Sequence, residues 1–208
     1  NITGNNNTAS GKHSLYYNTT GNSNTASGTN SLYSNTTGNN NTASGINSLY
    51  SSNAGNNNTA SGFKSLYSNT TGNNNTAFGS FSLEFNTTGK HNTAFGHSSG
   101  KDLSNGMANT ISNNSIFIGG KTKALGDNQS NQIVIGYDAT GAGDNSVVLG
   151  NNEITKTVLK GNIGIGTDNP GSWELAVDGK IKTKEVKVTI EGWSDFVFYE
   201  DYQLPTLN

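Results

Sequence analysis

The sequence predicts an all-β fold: a parallel β-solenoid or β-roll with a 17-residue period, wound with two identical copies into an intertwined homotrimeric fibre. Three observations predict it. The segment Asn7-Thr8-Ala9-Ser10-Gly11 returns, starting at Asn24, Asn41, Asn58, Asn75 and Asn92, always at the same interval. Such a fixed period is the mark of repeat architectures. No stretch carries a helical 3.6-residue pattern, and the NTTG and GNNN runs break any helix. Hydrophobic residues make up only 30% of the chain and charged residues only 12%, with a net charge of −2, so it is the wrong composition for an ordinary core and too weakly charged for a disordered segment.

The repeat unit reads GNNNTASGxxSLYSNTT, and six copies cover residues 1–100. Two glycine columns, Gly4, Gly21, Gly38, Gly55, Gly72, Gly89 and Gly11, Gly28, Gly45, Gly62, Gly79, Gly96, mark corners that need positive φ or close backbone approach. Leu15, Leu32, Leu49, Leu66 and Leu83 form the large core ladder. Ala9, Ala26, Ala43, Ala60, Ala77 and Ala94 form the small one. The Asn and Thr residues between them suit turns and side-chain-to-backbone bonding. Tyr16, Tyr33, Tyr50 and Tyr67 run beside the Leu ladder, and strand alternation points them outward or toward a neighbouring chain. Glu84 breaks this column at its fifth position, which favours a surface location. Phe78 and Phe95 replace Ser10, Ser27, Ser44 and Ser61, which predicts a core that widens or repacks near 78–95.

At about 4.8 Å per rung, six repeats make a shaft of roughly 29 Å. Each repeat offers one Leu, one Ala and one aromatic side chain. A fully buried large side chain is worth about 1.5–3 kcal/mol. Ordering each residue's backbone costs about 1–2 kcal/mol. A lone chain is therefore marginal, and three chains around one axis would bury both faces of each strand.

The repeat lapses over 101–112, an expected irregular connector, and returns altered over 113–160 as NSIFIG, NQIVIG and NSVVLG. These runs are apolar at consecutive positions, so both strand faces are expected to be buried, one filling the roll and the other meeting a neighbouring chain. Residues 161–188 form a further β segment, and 189–208 are expected to link to an absent C-terminal chaperone or coiled coil.

Composition also excludes function classes. There is no Cys to form disulfides or thiolate metal sites. Every basic residue is Lys and the chain is near neutral, which argues against nucleic acid as a partner. No apolar run approaches the roughly 20 residues of a membrane span. No leader is visible and the first residue is Asn, the expectation for a mature or excised fragment.

NSVVLG, NQIVIG, SIFIGG and the connecting GAGD resemble the head repeats of trimeric autotransporter adhesins, whose heads are trimers of left-handed parallel β-rolls. The 17-residue units resemble a variant of that repeat in fibre-like proteins of Bacteroidetes bacteria and their phages; the adhesin repeat is usually shorter. GNIGIGTDNP at 161–170 with LAVDGKI at 175–181 is similar to a tail-fibre segment that often precedes a trimerising intramolecular chaperone. The resemblance implies an extracellular, non-enzymatic trimeric fibre of a phage tail or contractile injection particle. Its expected partners are two copies of itself and a cell-surface polysaccharide or protein receptor. A bacterial cell-surface adhesin or filament stalk is the alternative. Ice binding is a third class, motivated by Thr19-Thr20, Thr36-Thr37, Thr70-Thr71 and Thr87-Thr88.

Other candidate chemistry reads as structural. GNIGIG opens no expected helix, as a phosphate loop would require. His13, His91 and His97 lack a nucleophile in their own repeats, though three copies of His97 could meet on a trimer axis around an ion. Asp195, Glu200 and Asp201 lie among aromatic residues in the tail and read as surface charge. Asp127, Asp138 and Asp144 flank Gly-rich corners without a calcium-loop spacing, so corner capping is expected. Sequons at Asn18, Asn35, Asn69 and Asn86 follow from corner chemistry. No catalytic, cofactor or metal residue is predicted. The Tyr ladder is the candidate ligand contact, as a platform on which sugars could stack.

Overall fold

The structure, a computed structural model, describes residues 2–185. They contain strands and turns and no helix. The strands are β1 (Thr8–Ser10), β2 (Thr25–Ser27), β3 (Thr42–Ser44), β4 (Thr59–Ser61), β5 (Thr76–Phe78), β6 (Thr93–Phe95), β7 (Ser112–Asn113), β8 (Ile116–Ile118), β9 (Gln129–Ser130), β10 (Gln132–Ile135), β11 (Ser146–Leu149), β12 (Ile163–Ile165) and β13 (Leu175–Val177). Nine of them stack into one parallel sheet in the order β1-β2-β3-β4-β5-β6-β8-β10-β11. Each residue pairs with its own repeat equivalent, for example Ala26 with Ala43 and Ala43 with Ala60. This is a parallel β-solenoid with a period of about 17 residues.

The strands of the stack are short, and the middle residue of the Thr-Ala-Ser strands turns inward. From Ala26 to Ala94 that column is fully buried. Ala9 is exposed, because β1 is the edge strand of the sheet and pairs on one side alone. The Leu ladder is also buried, from Leu15 to Leu83, but strand alternation does not place it there. The Ser-Leu-Tyr segments lie in turns. Leu15, Leu32, Leu49, Leu66 and Leu83 have φ between 47° and 52°, the left-handed region. Serine closes the turn before them: the Ser31 hydroxyl donates to the Gly28 carbonyl at 2.9 Å, and Ser48 to Gly45 at 3.0 Å. This accounts for the serine of each SLY unit.

The two glycine columns answer two different needs. Gly45 has φ 132°, and a Cβ there would lie 2.6 Å from the Gly62 carbonyl oxygen. At Gly55 the need is space alone: a Cβ would sit 2.6 Å from the Gly72 oxygen and 2.9 Å from Asn69 Nδ2.

Much of the interior is amide. The Asn58 side chain donates to the Gly72 carbonyl at 2.8 Å, and its oxygen accepts from the Asn75 backbone N–H at 3.0 Å. Asn24, Asn41 and Asn75 repeat this arrangement, fully buried. A second buried column, Asn18, Asn35, Asn69 and Asn86, bonds to the carbonyls of Gly21, Gly38, Gly72 and Gly89. These ladders satisfy polar groups that would otherwise be costly inside. They let a coil close around one Leu and one Ala.

Two elements bear on the sequence reading. Residues 101–112, the expected irregular connector, carry turns and short bridges and lie inside the solenoid unit. They lengthen one coil, so β6 pairs directly with β8, with Thr93 beside Ile116. Within that coil Leu103 is 3% exposed and bridges to Ala124. The core does not widen at 78–95. Ala77 and Ala94 still point inward, and Phe78 and Phe95 change the opposite, outer face of the sheet.

The solenoid unit spans Asn1–Thr155, and a second unit begins at Lys156, inside the segment expected to run to 160. In the second unit β12 and β13 pair in parallel, Ile163 with Leu175 and Ile165 with Val177. Trp173, Leu175 and Ile165 in it are exposed. Residues 186–208, which include Asp195, Glu200, Asp201, the expected linker and the end of the 161–188 segment, lie outside the described residues.

Candidate functional site

Two surfaces of the solenoid are candidates. The first runs along the turn between the positive-φ glycine and the Ser-Leu-Tyr segment. Tyr16, Tyr33, Tyr50 and Tyr67 stack there with centroids 5.5, 4.9 and 5.1 Å apart and planes within 11° of parallel. The repeat register sets rungs at about the spacing of stacked rings. Each inner ring face is covered by the next ring. A sugar needs an open ring face to stack on, so the ladder presents edges and hydroxyls to a ligand instead. Tyr17 packs edge-on against Tyr16 and Tyr33, and His13 does the same. The Tyr17 hydroxyl, followed by desolvation, raises the Tyr33 phenol above its ordinary titration range.

The column does not end at Tyr67. It continues at the same interval as Glu84 and then Lys101. Glu84 is buried, 5% exposed, where the sequence reading favoured the surface. Its two carboxylate oxygens face two cations, Lys64 Nζ at 3.8 Å and Lys101 Nζ at 3.2 Å. Burial without partners would be prohibitive for a carboxylate, and the two lysines explain why it is tolerated. Both lysines also lie over aromatic rings: Lys64 over Phe63 and Tyr67 at 5.6 and 5.3 Å from the centroids, Lys101 over Phe81 and Phe85 at 5.3 and 5.2 Å. Phe81 meets Phe63 edge-on at 5.2 Å and His97 at 5.7 Å. Sequence reasoning missed Phe63, Lys64, Phe85 and Lys101. The signal that could have found Lys101 was the Tyr-Glu-Lys continuation of a single column.

The second surface is the outer face of the nine-stranded sheet. In the first four coils it carries Thr and Ser, as in Thr25 and Ser27 of β2. In β5 and β6 the serine becomes Phe78 and Phe95. Beyond them the paired positions of this face are apolar: Ile116 and Ile118, Ile133 and Ile135, Val147 and Leu149. Phe95, Ile118, Val147 and Leu149 are 56%, 40%, 63% and 55% exposed. Phe117 and Val134 between them fill the interior.

The remaining candidates are accounted for locally. Thr19, Thr36, Thr70 and Thr87 donate their hydroxyls to backbone oxygens of the next coil, whereas Thr20, Thr37, Thr71 and Thr88 beside them are exposed. Asp127 accepts from the N–H groups of Thr110 and Ile111, and Asp144 from that of Ser130. Lys123 Nζ lies 2.6 Å from Asp138 and holds that carboxyl below its usual titration range. The sequon residues Asn18, Asn35, Asn69 and Asn86 are buried and hydrogen-bonded within the folded chain. His13, His91 and His97 are exposed. Among the described residues no three His, Asp or Glu side chains converge, and no helix is long and apolar enough to cross a membrane. In GNIGIG, Ile163–Ile165 is strand β12 and no helix follows among the described residues. An open cavity of ≈ 490 Å³ beside β12 is lined by Leu159, Lys160, Glu174 and Leu175, among others.

Comparison of the chain with protein-family models, with curated proteins and with solved structures gave no match.

Proposed function

We propose that this chain is the shaft of a homotrimeric extracellular fibre, of a virion tail or an injection particle, that attaches to a cell surface. The role is structural and adhesive, with no catalytic step. The observation that carries it is the outer sheet face from Phe78 to Leu149, a continuous apolar strip on a parallel sheet. A strip of that kind on a water-facing surface calls for a protein partner. Two further copies of the same chain supply one at equal height along the axis, because every coil meets its own equivalent. Full cover of one Ile or Leu side chain contributes about 1.5–3 kcal/mol, and the strip holds several in each chain. Surface polysaccharide or a protein receptor is the proposed target, and three identical weak sites on one fibre would gain by avidity. The likeness of residues 161–181 to tail-fibre segments favours a particle over a cell-surface stalk.

Sedimentation equilibrium tests the assembly. The expected mass is three times 21.7 kDa. A mass of one chain at micromolar concentration overturns the proposal.

A further inference from the structure

The turn that bears the Tyr ladder holds the two repeat positions left free by the fold. Glycine before them and Ser-Leu after them are fixed by the corner and the core. The pair between them changes from Thr29-Asn30 to Phe63-Lys64 to Ser80-Phe81. The second member of each pair is left-handed, with φ 57° at Asn30, 58° at Asn47, 53° at Lys64 and 62° at Phe81. Asn adopts that conformation readily, while Lys and Phe do so against steric resistance. Asn30 and Asn47 therefore do the structural work of this corner without strain. Lys64 and Phe81 take the same left-handed turn as His13 and Ser98 at this position, so the corner sets the backbone and leaves the side chain free to vary.

What they present is specific. Lys64 and Lys101 are 34% and 25% exposed along their side chains, each held over two aromatic rings. Their shared acid, Glu84, is buried beneath them and neutralises one of the two charges. The result is a fixed patch with a net positive charge flanked by rings, on a chain whose overall charge is negative. We propose that Phe63, Lys64, Phe81, Phe85 and Lys101 form a binding site for an anionic polysaccharide, one bearing carboxylate groups along its chain. The two ammonium groups would meet the carboxylates, and the rings that hold them in place would flank the sugars. Glu84 would set the strength of the site by competing for the same cations.

This proposal rests on the attachment role above, and its test separates the two. The full chain is titrated with polygalacturonate at low and high salt, with dextran as the neutral polymer. Binding to polygalacturonate that weakens with salt, and none to dextran, is expected. Lys64→Gln and Lys101→Gln should each weaken binding about threefold, and Glu84→Gln should strengthen it by about the same factor, in line with partly exposed charge pairs. Lys12→Gln, on the exposed first coil, should change nothing. Phe63→Ala, at a 39% exposed residue, should weaken binding and leave the melting temperature unaltered, so the site remains testable if a charge variant misfolds. The opposite signs of the Lys and Glu variants are the decisive reading, because a purely structural cluster would weaken in all three. Equal effects of Lys12→Gln and Lys64→Gln, equal binding of dextran, or no binding at all would overturn the site. A chain that adheres to cells yet ignores polygalacturonate overturns the site and leaves the fibre standing. A monomeric mass overturns the fibre whatever the polymer result.

Discussion

Leu66 sits fully buried at φ 48°, and this pairing of burial with a left-handed backbone governs what can replace it. Methionine keeps the unbranched Cβ and most of the volume, so Leu66→Met should lower stability by less than about 1.5 kcal/mol. Valine is just as apolar, but a β-branched residue at positive φ is a steric outlier. Lost volume adds to that, and Leu66→Val should cost about 2–4 kcal/mol. Urea denaturation of the two variants decides it. Equal losses would mean that the turn carries no steric demand. The buried amides allow the opposite kind of change. Ser52 stands where the second Asn column has Asn18, Asn35, Asn69 and Asn86, and its hydroxyl finds no partner. The side-chain oxygen of Asn35, its neighbour in the column, is also unpaired. In the intact part of the column Asn35 Nδ2 donates to Asn18 Oδ1 at 2.7 Å. Ser52→Asn should rebuild that bond and raise stability by about 1 kcal/mol, seen as a higher melting temperature. An unchanged or lower value would show that the column cannot close at this coil.

A coil is the unit of this fold, because every strand of the stack pairs only with its repeat equivalents before and after it. Removing one whole coil should therefore leave the rest in register. Deletion of residues 42–58 joins Asn41 to Thr59 and restores the Asn-Thr-Ala-Ser order. The shortened chain is expected to keep its circular dichroism and a cooperative melt. The smaller deletion 42–55 leaves one coil three residues too long without the turn that the β6–β8 coil uses to set its extra residues aside, and should lower the melting temperature below that of the whole-coil deletion. The coil from β6 to β8 fits the same reasoning. Its extra residues turn aside between Leu103 and Met107, whose backbones bond at 2.7 Å, and the sheet continues without a break.

Over the full length of the solenoid the outer sheet face governs assembly. Ile118, Ile135 and Leu149 lie in one column of it, one rung apart. The interior is filled from the other side by Phe117 and Val134. Replacing those three outer residues together by serine should spare the fold of one chain and remove the contact between chains. Sedimentation should then report a single chain with undisturbed circular dichroism. A trimer that survives the triple substitution would place the contact elsewhere. The polar upper coils, with Thr25 and Ser27 on the same face, make a weaker contribution to such an interface.

The period, the strand class and the burial of the Leu column and of Ala26 to Ala94 were legible in the string of residues. These follow from identical residues meeting identical residues at a fixed spacing, which is a one-dimensional constraint. The string also pointed to glycine at both corners, though not that Gly45 is needed for its φ and Gly55 for its lack of a side chain. Other features needed the folded chain. Alternation along a strand was the wrong ground for directing Tyr from its neighbour Leu, since the Ser-Leu-Tyr segment lies in a turn whose Leu is left-handed and is held by the coils on either side. Phe78 and Phe95 read as core because they are apolar, yet which face a side chain takes depends on the strand's direction relative to the roll. Glu84 read as surface because it is charged; the two lysines that permit its burial come from different coils, one earlier in the chain and one later. Lys101 stands one period after Glu84 and was there to be read, but Lys64 lies off the period, so folding alone brings it to Glu84.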